Sequence, residues 1–390
     1  MQTELSRRCA LLAGLALLVT AGAAPAQPKG EPIRIGLLTP LTGTAARWGG
    51  FAQNGAGLAV DELNAAGGVL GRPLQIVVAD SQCQPAQGVS ALRKLITADR
   101  AGFVIGDICS SVTLAAMPVV AESKVVLVNA GSSHPDITYK AGVGGNLWTF
   151  RNYPTDELRT QIVTEYVAKQ GARRYSILNV DNDFGRGAAS LSKKHIERLG
   201  GTLLSEDYFK AGESDFAPVL TKIKGLKPDV ILFYSLPDSV PPLTAQMKAQ
   251  GLKLRLAGVA EFTTPDIIKR SQVDILEGAV EGMSWAPVLG GEGNRKFIEA
   301  YQKKAGDPPQ VHGFTHYESV RLLARAIADA GSAEPAKVRE ALTRIQYDGL
   351  MGKVRFDDHN QAEVPMAILA VENGAAVSKG TFTTKITYPR

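Results

Sequence analysis

The chain has 390 residues, of which 45% are hydrophobic and 21% charged, and its 43 basic and 38 acidic residues give a net charge of +5. This composition excludes a disordered, collagen-like or disulfide-dense chain, and the absence of a basic block argues against nucleic-acid binding. At roughly 100–200 residues per domain, the length predicts two domains.

The first 26 residues have the pattern of an export signal. Arg7 and Arg8 precede an apolar run of about a dozen residues, and Ala24-Pro25-Ala26 resembles a cleavage site. The run is shorter than the roughly 20 residues that a membrane span needs. Ser6-Arg7-Arg8 leaves twin-arginine export open beside the general secretory route. We therefore predict a signal peptide over 1–26, cleaved near Ala26, and a protein exported to the periplasm.

Short apolar runs alternate with amphipathic segments in the part of the chain that follows. The predicted strands of this first half are Ile33–Leu38, Leu74–Ala79, Phe103–Gly106 and Val125–Val128. The predicted helices between them are Phe51–Ala66, Pro85–Ala98 and Thr113–Ala121. Strands separated by helices predict a parallel, doubly wound sheet.

The same rhythm restarts after the glycine-rich segment 142–145. The predicted strands are Tyr175–Val180, Thr202–Tyr208, Val230–Phe233, Leu254–Ala257 and Gly278–Trp285. The predicted helices are Asp156–Gln170, Arg186–Leu199, Phe216–Lys224, Leu243–Gln250, Arg295–Lys304, His316–Ala330 and Ala336–Arg344, followed by a β-rich end. The predicted fold class is therefore α/β with two doubly wound, Rossmann-like lobes. A ligand is expected in the cleft between them, beyond the carboxyl ends of strands.

Two cysteines, Cys83 and Cys109, remain once cleavage removes Cys9. In an oxidising compartment such a pair predicts a disulfide, with two buried free thiols as the alternative. Two lone cysteines argue against a metal site.

Polar residues follow several predicted strands, where a ligand would bind. Ser110 and Ser111 stand at a predicted helix start, which suits a carboxylate because that end is partially positive; simple N-capping is the alternative. Ser133 and the carbonyl of Gly131 offer a second polar contact, or form only a turn. Phe184 either walls the cleft or belongs to the core, and the same alternatives apply to Trp48.

Sequence patterns typical of enzymes are missing. The glycines of 142–145 lack the GxGxxG spacing, and no P-loop, GxSxG or HExxH occurs. His312 and His316 are four residues apart, but Gly313 weakens a helix there and no third metal ligand stands out. We therefore predict neither a cofactor nor a metal, and a secreted α/β enzyme is the least favoured function.

Several motifs together resemble the Leu/Ile/Val-binding protein family, the periplasmic solute-binding proteins of ABC importers. They are Pro40-Leu41-Thr42-Gly43, Trp48-Gly49, Asn54-Gly55, the stretch 64–72, Cys83, Ile105-Gly106, Cys109-Ser110-Ser111 and Pro135-Asp136-Ile137-Thr138. The resemblance covers essentially the whole chain after the predicted signal. It implies two lobes joined by three hinge crossings, one of 27–151 plus about 285–361 and the other of about 152–284 plus 362–390.

The resemblance also implies roles for single residues. Cys83 and Cys109 match the family's disulfide. Ser110 and Ser133 match hydroxyl residues that hold the ligand carboxylate, and Gly131 matches the position whose carbonyl receives an α-ammonium.

Trp48 matches an aromatic residue lining the side-chain pocket, and Phe184 stands where Tyr is usual on the opposing lobe. The sequence departs from the family at Leu236, where another Tyr is usual. It departs again at Ala260, where the ammonium-binding Glu is usual, although a shift of one residue to Glu261 restores the acid.

These features predict the periplasmic receptor of an ABC importer, a monomer that captures a branched-chain or other hydrophobic amino acid and docks on an ABC permease. If Glu261 does not meet an ammonium group, the pocket would favour a carboxylate without an amine, such as an aromatic acid. A periplasmic ligand sensor with the same fold is a further alternative.

Overall fold

The structure, a computed structural model, describes residues 28–382, 386 and 388. The predicted signal peptide over residues 1–26 lies outside the described residues. Two β-sheets flanked by helices define two lobes. Among the residues described, no helix combines the length and apolar character required to cross a lipid bilayer.

Lobe 1 is built on a parallel five-stranded sheet with the strand order β2-β1-β3-β4-β5. Its strands are β1 (Ile33–Thr39), β2 (Leu74–Asp80), β3 (Phe103–Gly106), β4 (Val126–Asn129) and β5 (Thr149–Arg151). Its helices are α1 (Ala46–Ala65), α2 (Pro85–Thr97), α3 (Ser110–Ser123) and α4 (Pro135–Tyr139). Every residue of β3 and β4 is buried, as expected for strands covered by helices on both faces.

Lobe 2 contains a seven-stranded sheet with the order β14-β13-β10-β9-β8-β6-β7. Its strands are β6 (Arg174–Val180), β7 (Thr202–Phe209), β8 (Val230–Tyr234), β9 (Arg255–Val259), β10 (Val280–Met283), β13 (Met366–Glu372) and β14 (Ala375–Phe382). Its helices are α5 (Asp156–Lys169), α6 (Asp183–Arg198), α7 (Ala217–Leu226), α8 (Val240–Ala249), α9 (Pro265–Arg270) and α10 (Val273–Leu276). Strands β6 to β10 pair in parallel, while β13 and β14 add antiparallel partners at one edge.

Three helices and a hairpin lie between β10 and β13. They are α11 (Glu292–Ala305), α12 (Val311–Ala330), α13 (Pro335–Thr343), β11 (Tyr347–Gly349) and β12 (Gly352–Val354). Helix α12 packs along α1, and a Cβ added to Gly55 would lie 1.9 Å from the carbonyl oxygen of Gly313. The absence of a side chain at Gly55 therefore permits the close packing of these two helices. Helix α12 begins at Val311, five residues before the predicted start at His316.

The chain passes between the two sheets three times: after β5, after β10 and before β13. The fully buried Arg151 ties the first and third passages together, because its Nε donates to Oε1 of Gln361 at 2.6 Å. Its Nη1 also donates to the carbonyl of His134 at 2.8 Å. The predicted fold class of two α/β lobes with parallel sheets is thus confirmed.

Candidate functional site

A cavity of about 540 Å³ lies between the two lobes. Lobe 1 contributes the loops that follow β1, β2, β3 and β4, and lobe 2 contributes the loops that follow β6, β8 and β9. The sequence-predicted residues among its walls are Cys83, Cys109, Ser110, Ser111, Gly131, Ser133, Phe184 and Glu261. Residues from distant parts of the chain therefore meet at the carboxyl ends of the strands, where open α/β folds bind ligands.

The start of α3 forms part of the lobe 1 wall. The helix begins at Ser110, three residues before the predicted Thr113, and Cys109 is its N-cap. The first N–H groups of a helix have no partner inside it and give that end a partial positive charge. Ser110 is buried and its Oγ accepts from the backbone N–H of His134 at 3.3 Å. This end of α3 is suited to an anionic group of a ligand.

The loop after β4 is fixed by the buried side chain of Asn129. Its Oδ1 accepts from the backbone N–H of Gly131 at 3.0 Å and from that of Ser132 at 2.9 Å. A Cβ on Gly131 would lie 2.9 Å from Cα of Ile108, so only glycine allows this close approach. The loop thereby brings Gly131 to the cavity wall.

Ser133 already has a hydrogen-bond partner in the protein. Its Oγ donates to Oδ2 of Asp156 at 2.9 Å, and both residues are buried. Burial raises the pKa of Asp156 to about 6, so this carboxyl group is still ionised at neutral pH. A hydroxyl group has one proton, so the predicted donation from Ser133 to a ligand carboxylate competes with Asp156. The Ser133 oxygen retains its capacity to accept from a ligand donor.

Phe184 and Leu236 line the lobe 2 side of the cavity. Phe184 lies in the first turn of α6, which is capped by Asn182 through a 3.0 Å hydrogen bond from the N–H of Gly185. Its ring meets Tyr234 edge to face, with ring centres 6.4 Å apart. Leu236 presents an aliphatic side chain where the family resemblance implies Tyr.

Glu261 faces the cavity after β9 and is 5% exposed. Its Oε1 lies 3.6 Å from Nε2 of His312, and its Oε2 has no hydrogen-bond partner within the described part of the chain. Burial, reinforced by the nearby carboxyl of Glu281, raises the pKa of Glu261 to about 8. Ala260 also lines the cavity. The one-residue offset from the family pattern therefore still supplies an acid to this wall.

Trp48 is buried where the two lobes contact each other. It is 1% exposed, its ring packs against Phe51 with ring centres 5.5 Å apart, and its indole N–H donates to Oδ2 of Asp238 at 3.2 Å. It is not one of the residues that line the cavity. This hydrogen bond joins the Trp48 indole of lobe 1 to Asp238 of lobe 2. The ligand contact expected for Trp48 stays a prediction.

The predicted disulfide between Cys83 and Cys109 is present, and both cysteines line the cavity. It links the loop after β2 to the N-cap of α3. The bridge therefore fixes the helix start that carries Ser110.

The cavity walls also include Tyr153, Arg159 and His312, for which the sequence predicts no ligand contact. Arg159 had a detectable signal, because it shares a helix face with the apolar Ile162 and Val163, where a buried charge is unusual. The sequence around His312 suggests only a metal ligand, and no third ligand accompanies it. Tyr153 lies on the first passage between lobes, where no periodic pattern exists.

A cluster of charged residues joins the two lobes beside the cavity. Arg47 of α1 pairs with Asp266 at 2.5 Å, and Arg270 pairs with Asp238 at 2.6 Å and with Asp266 at 3.2 Å. The hydrogen bond from Arg47 holds the pKa of Asp266 below its usual range. Together with the bond from Trp48 to Asp238, these contacts close the cleft at one side.

The Arg47–Asp266 pair is expected to stabilise the closed arrangement by about 0.5–1 kcal/mol, the range of partly exposed ion pairs. A double-mutant cycle of Arg47→Ala and Asp266→Ala, measured by urea unfolding, checks this coupling. The reference is the pair Lys248–Asp274, 3.0 Å apart and wholly within lobe 2. Coupling in the reference but none between Arg47 and Asp266 would mean that the lobes stand apart in solution.

A family model described as periplasmic binding protein matches residues 32–376. The chain is 28% identical to the leucine-, isoleucine-, valine-, threonine- and alanine-binding protein of Pseudomonas aeruginosa, over 88% of this chain and 90% of that protein. The crystal structure of the Streptococcus pneumoniae branched-chain amino acid transporter substrate-binding protein LivJ, in complex with isoleucine, superposes with a TM-score of 0.81. That match has 23% identity and covers 91% of this chain and 100% of that one.

A solute-binding protein of an ABC transporter from Rhodopseudomonas palustris, solved in complex with 3,4-dihydroxybenzoic acid, superposes with a TM-score of 0.82. It is 21% identical, and the match covers 90% of this chain and 97% of that one. The two structures have the same fold as this chain, although their ligands differ in chemistry.

Proposed function

The chain belongs to the periplasmic binding protein family, and from this we propose that it is the solute receptor of an ABC importer. It captures a small carboxylated ligand between its two lobes and alters no covalent bond of it. The relatives are named as binding proteins for amino acids, and one solved neighbour holds an aromatic acid. These names support the ligand class.

One observation carries this proposal: a cavity between the lobes that has the positive start of α3 on one side and the carboxyl group of Glu261 on another. The ligand carboxylate binds at Ser110 and Ser111, where unpaired N–H groups and a hydroxyl group meet. Its ammonium group binds Glu261, the carbonyl of Gly131 and the Ser133 oxygen, which all accept hydrogen bonds. An amino acid uses both ends of the cavity, and an aromatic acid without an amine is the second candidate.

Capture follows from closure of the lobes. We place one lobe at 27–151 plus about 285–361 and the other at about 152–284 plus 362–390, in accord with the sheet to which each strand belongs. A ligand stabilises closure only if it binds the closed form better than the open one. Contacts to both Ser110 and Glu261 supply that difference, because these residues belong to different lobes.

The working protein is proposed to be an exported monomer that presents its closed form to an ABC permease in the inner membrane. Neither a cofactor nor a metal takes part. A periplasmic sensor would bind the ligand through the same contacts as a receptor of an importer. The identity of the ligand is therefore the first thing to establish.

A thermal-shift screen of residues 27–390 tests the ligand class. Aliphatic amino acids, aromatic amino acids and benzoates are the three arms. A ligand present at about 100 times its Kd adds roughly 2.7 kcal/mol to the free energy of unfolding, which is a readily measured shift. If only the benzoates stabilise the protein, the ligand is a carboxylate that lacks an amine and not an amino acid. If no carboxylate in the screen stabilises it, the proposal is overturned.

Ser110→Ala is expected to weaken binding of the identified carboxylate ligand by about 1–2 kcal/mol, roughly 5- to 30-fold, because a hydrogen bond to a charged group is lost. Calorimetric titration measures this change. Ser123→Ala is the matched control, since Ser123 is the exposed last residue of the same helix. Equal affinity of wild type and Ser110→Ala would remove Ser110 from the binding site.

A further inference from the structure

The guanidinium group of Arg159 is buried in the cavity wall with part of its hydrogen-bonding capacity unused. Arg159 belongs to α5 and is 3% exposed. Its Nε donates to the carbonyl of Gly282 at 3.3 Å, and its Nη2 contacts Sδ of Met283 at 3.7 Å. Oδ1 of Asp156 lies 3.8 Å from Nη1, which is beyond hydrogen-bond distance. The two N–H groups of Nη1 therefore have no acceptor among the described residues.

These N–H groups are open to the cavity. The protein does not enclose Nη1 of Arg159 completely, whereas it does enclose the unpaired Nδ1 of the neighbouring His312. Arg159 lines the cavity, so the open side of Nη1 faces the space that a ligand occupies. Buried donors in folded proteins nearly always have an acceptor, and here the acceptor comes from the water or the ligand that fills the cavity.

Neighbouring side chains hold the guanidinium group in place. Its central carbon lies 5.5 Å from the ring centre of Tyr153, which is a cation–π contact. The Tyr153 ring is in turn stacked on the ring of His312, with ring centres 5.8 Å apart. A planar donor that is fixed in this way binds an acceptor with little further loss of side-chain entropy.

The charges around Arg159 decide which acceptor fits. Asp156 is ionised at neutral pH and partly offsets the charge of the guanidinium group. Burial raises the pKa of Glu261 and of Glu281, and the nearby charge of Arg159 opposes both rises. A carboxylate of the ligand would therefore meet three carboxyl groups of the protein at this position. A neutral oxygen acceptor, such as an amide carbonyl, avoids that repulsion.

An apolar ligand end beside Arg159 is disfavoured as well. It would displace water from Nη1 without replacing the hydrogen bond, which is costly for a charged donor. Binding sites with a buried polar group discriminate strongly against ligands that leave this group unpaired.

We propose that Arg159 is a specificity-determining residue whose Nη1 donates a hydrogen bond to a neutral oxygen acceptor on the side chain or ring of the ligand. This inference rests on the proposed receptor function and narrows its ligand class. The preferred ligand is a carboxylic acid whose far end carries an amide or a similar neutral acceptor. Ligands with an aliphatic far end or a second carboxylate there bind less tightly.

The test uses two sets of probes whose members have nearly the same shape and differ only at the far end. Leucine, asparagine and aspartate form the first set, and 4-isopropylbenzoate, 4-carbamoylbenzoate and terephthalate form the second. Each set contains an apolar end, a neutral amide and a carboxylate, in that order. In wild type, the amide of at least one set is expected to bind about 10- to 100-fold more tightly than its two partners by calorimetry, the value of a hydrogen bond to a charged group.

Two variants assign the preference to Arg159. Arg159→Met keeps an unbranched side chain but removes every donor, so the preference for the amide should fall to about onefold. Arg159→Lys keeps the charge beside Asp156, which protects the fold, but its ammonium group does not reproduce the planar guanidinium, so the preference should fall below about threefold. Arg321→Met is the matched control, because the Arg321 guanidinium carbon lies 5.3 Å from the ring centre of Tyr317 but Arg321 does not line the cavity. It should keep the wild-type preference.

The outcomes separate this inference from the receptor function. If the amide binds no better than its partners in every set that binds, or if the preference survives in Arg159→Met or Arg159→Lys, the role of Arg159 is overturned and the receptor function stands. If none of the six probes binds, the receptor function for such acids fails and this inference fails with it.

Discussion

Replacing Glu261 with Gln is expected to weaken binding of an amino-acid ligand about 30- to 150-fold at pH 8, equivalent to about 2–3 kcal/mol. The carboxylate of Glu261 is buried, and its Oε2 is unpaired among the residues described. A ligand ammonium in the cavity pairs with the negative charge of this carboxylate, and Gln offers an oxygen without the charge. Binding of benzoate, which has no ammonium group, should change far less.

The pH dependence of amino-acid binding tests whether the carboxyl group of Glu261 contacts the ligand. In the unliganded protein Glu261 is protonated below its pKa of about 8, and it must lose that proton to pair with an ammonium. Affinity for an amino acid should therefore rise with pH between 6 and 8, by at most about tenfold per pH unit. The groups that face Glu261 are Glu281, Arg159, Asp238 and His312.

Calorimetric titrations at several pH values measure this trend in wild type and in Glu261→Gln. The variant lacks the titrating carboxyl, so its affinity should stay nearly constant from pH 6 to 8. Asp107 and Asp156, whose burial raises their pKa values to about 7 and about 6, remain in both proteins and define the background. A parallel rise in wild type and variant would assign the proton to another titrating group and exclude Glu261.

The pH dependence of the free energy of unfolding tests the role of Glu261 without any ligand. A carboxyl group whose pKa rises on folding stabilises the protein fully below its unfolded pKa, and this contribution is lost as pH rises through the folded pKa. The share contributed by Glu261 should thus disappear between about pH 4.5 and 8. Glu261→Gln should show a smaller decline in unfolding free energy over that window.

Removing the Cys83–Cys109 disulfide is expected to lower the free energy of unfolding by about 3 kcal/mol. The bridge spans a sequence separation of 26, and loop closure in the unfolded chain accounts for a loss of this size. The double variant Cys83→Ser with Cys109→Ser should therefore unfold at lower denaturant concentration. Equal unfolding midpoints for this variant and wild type would show that the bridge does not stabilise the fold.

The disulfide also bears on binding, because Cys109 is the N-cap of α3 and precedes Ser110. Without the bridge, the helix start is less firmly held, so affinity for a carboxylate should fall as well. A wild-type sample treated with reductant should reproduce both effects. Ser123→Ala changes the other end of α3 and keeps the disulfide. Reduction should lower its stability and its affinity by the same amount as in wild type, which assigns the loss to the disulfide.

Local sequence patterns predicted much of the scaffold. The strand Phe103–Gly106 has its predicted bounds, and the helix predicted over Asp156–Gln170 runs from Asp156 to Lys169. Such patterns succeed because burial on both faces of a sheet produces short apolar runs, and half-buried helices show the 3.6-residue period. The strand β5 was not predicted, because three residues are too few to show any period.

The sequence by itself determined which residues stand at the carboxyl ends of lobe 1 strands, since parallel strands bring Ser110, Gly131 and Ser133 to one edge of a sheet. Only the tertiary structure decided which distant residues meet them. The indole of Trp48 donates to Asp238, and α12, which packs closely along α1 at Gly55, brings His312 to the cavity wall. These contacts depend on how the lobes and helices pack, and residues far apart in the chain leave no local pattern of that packing.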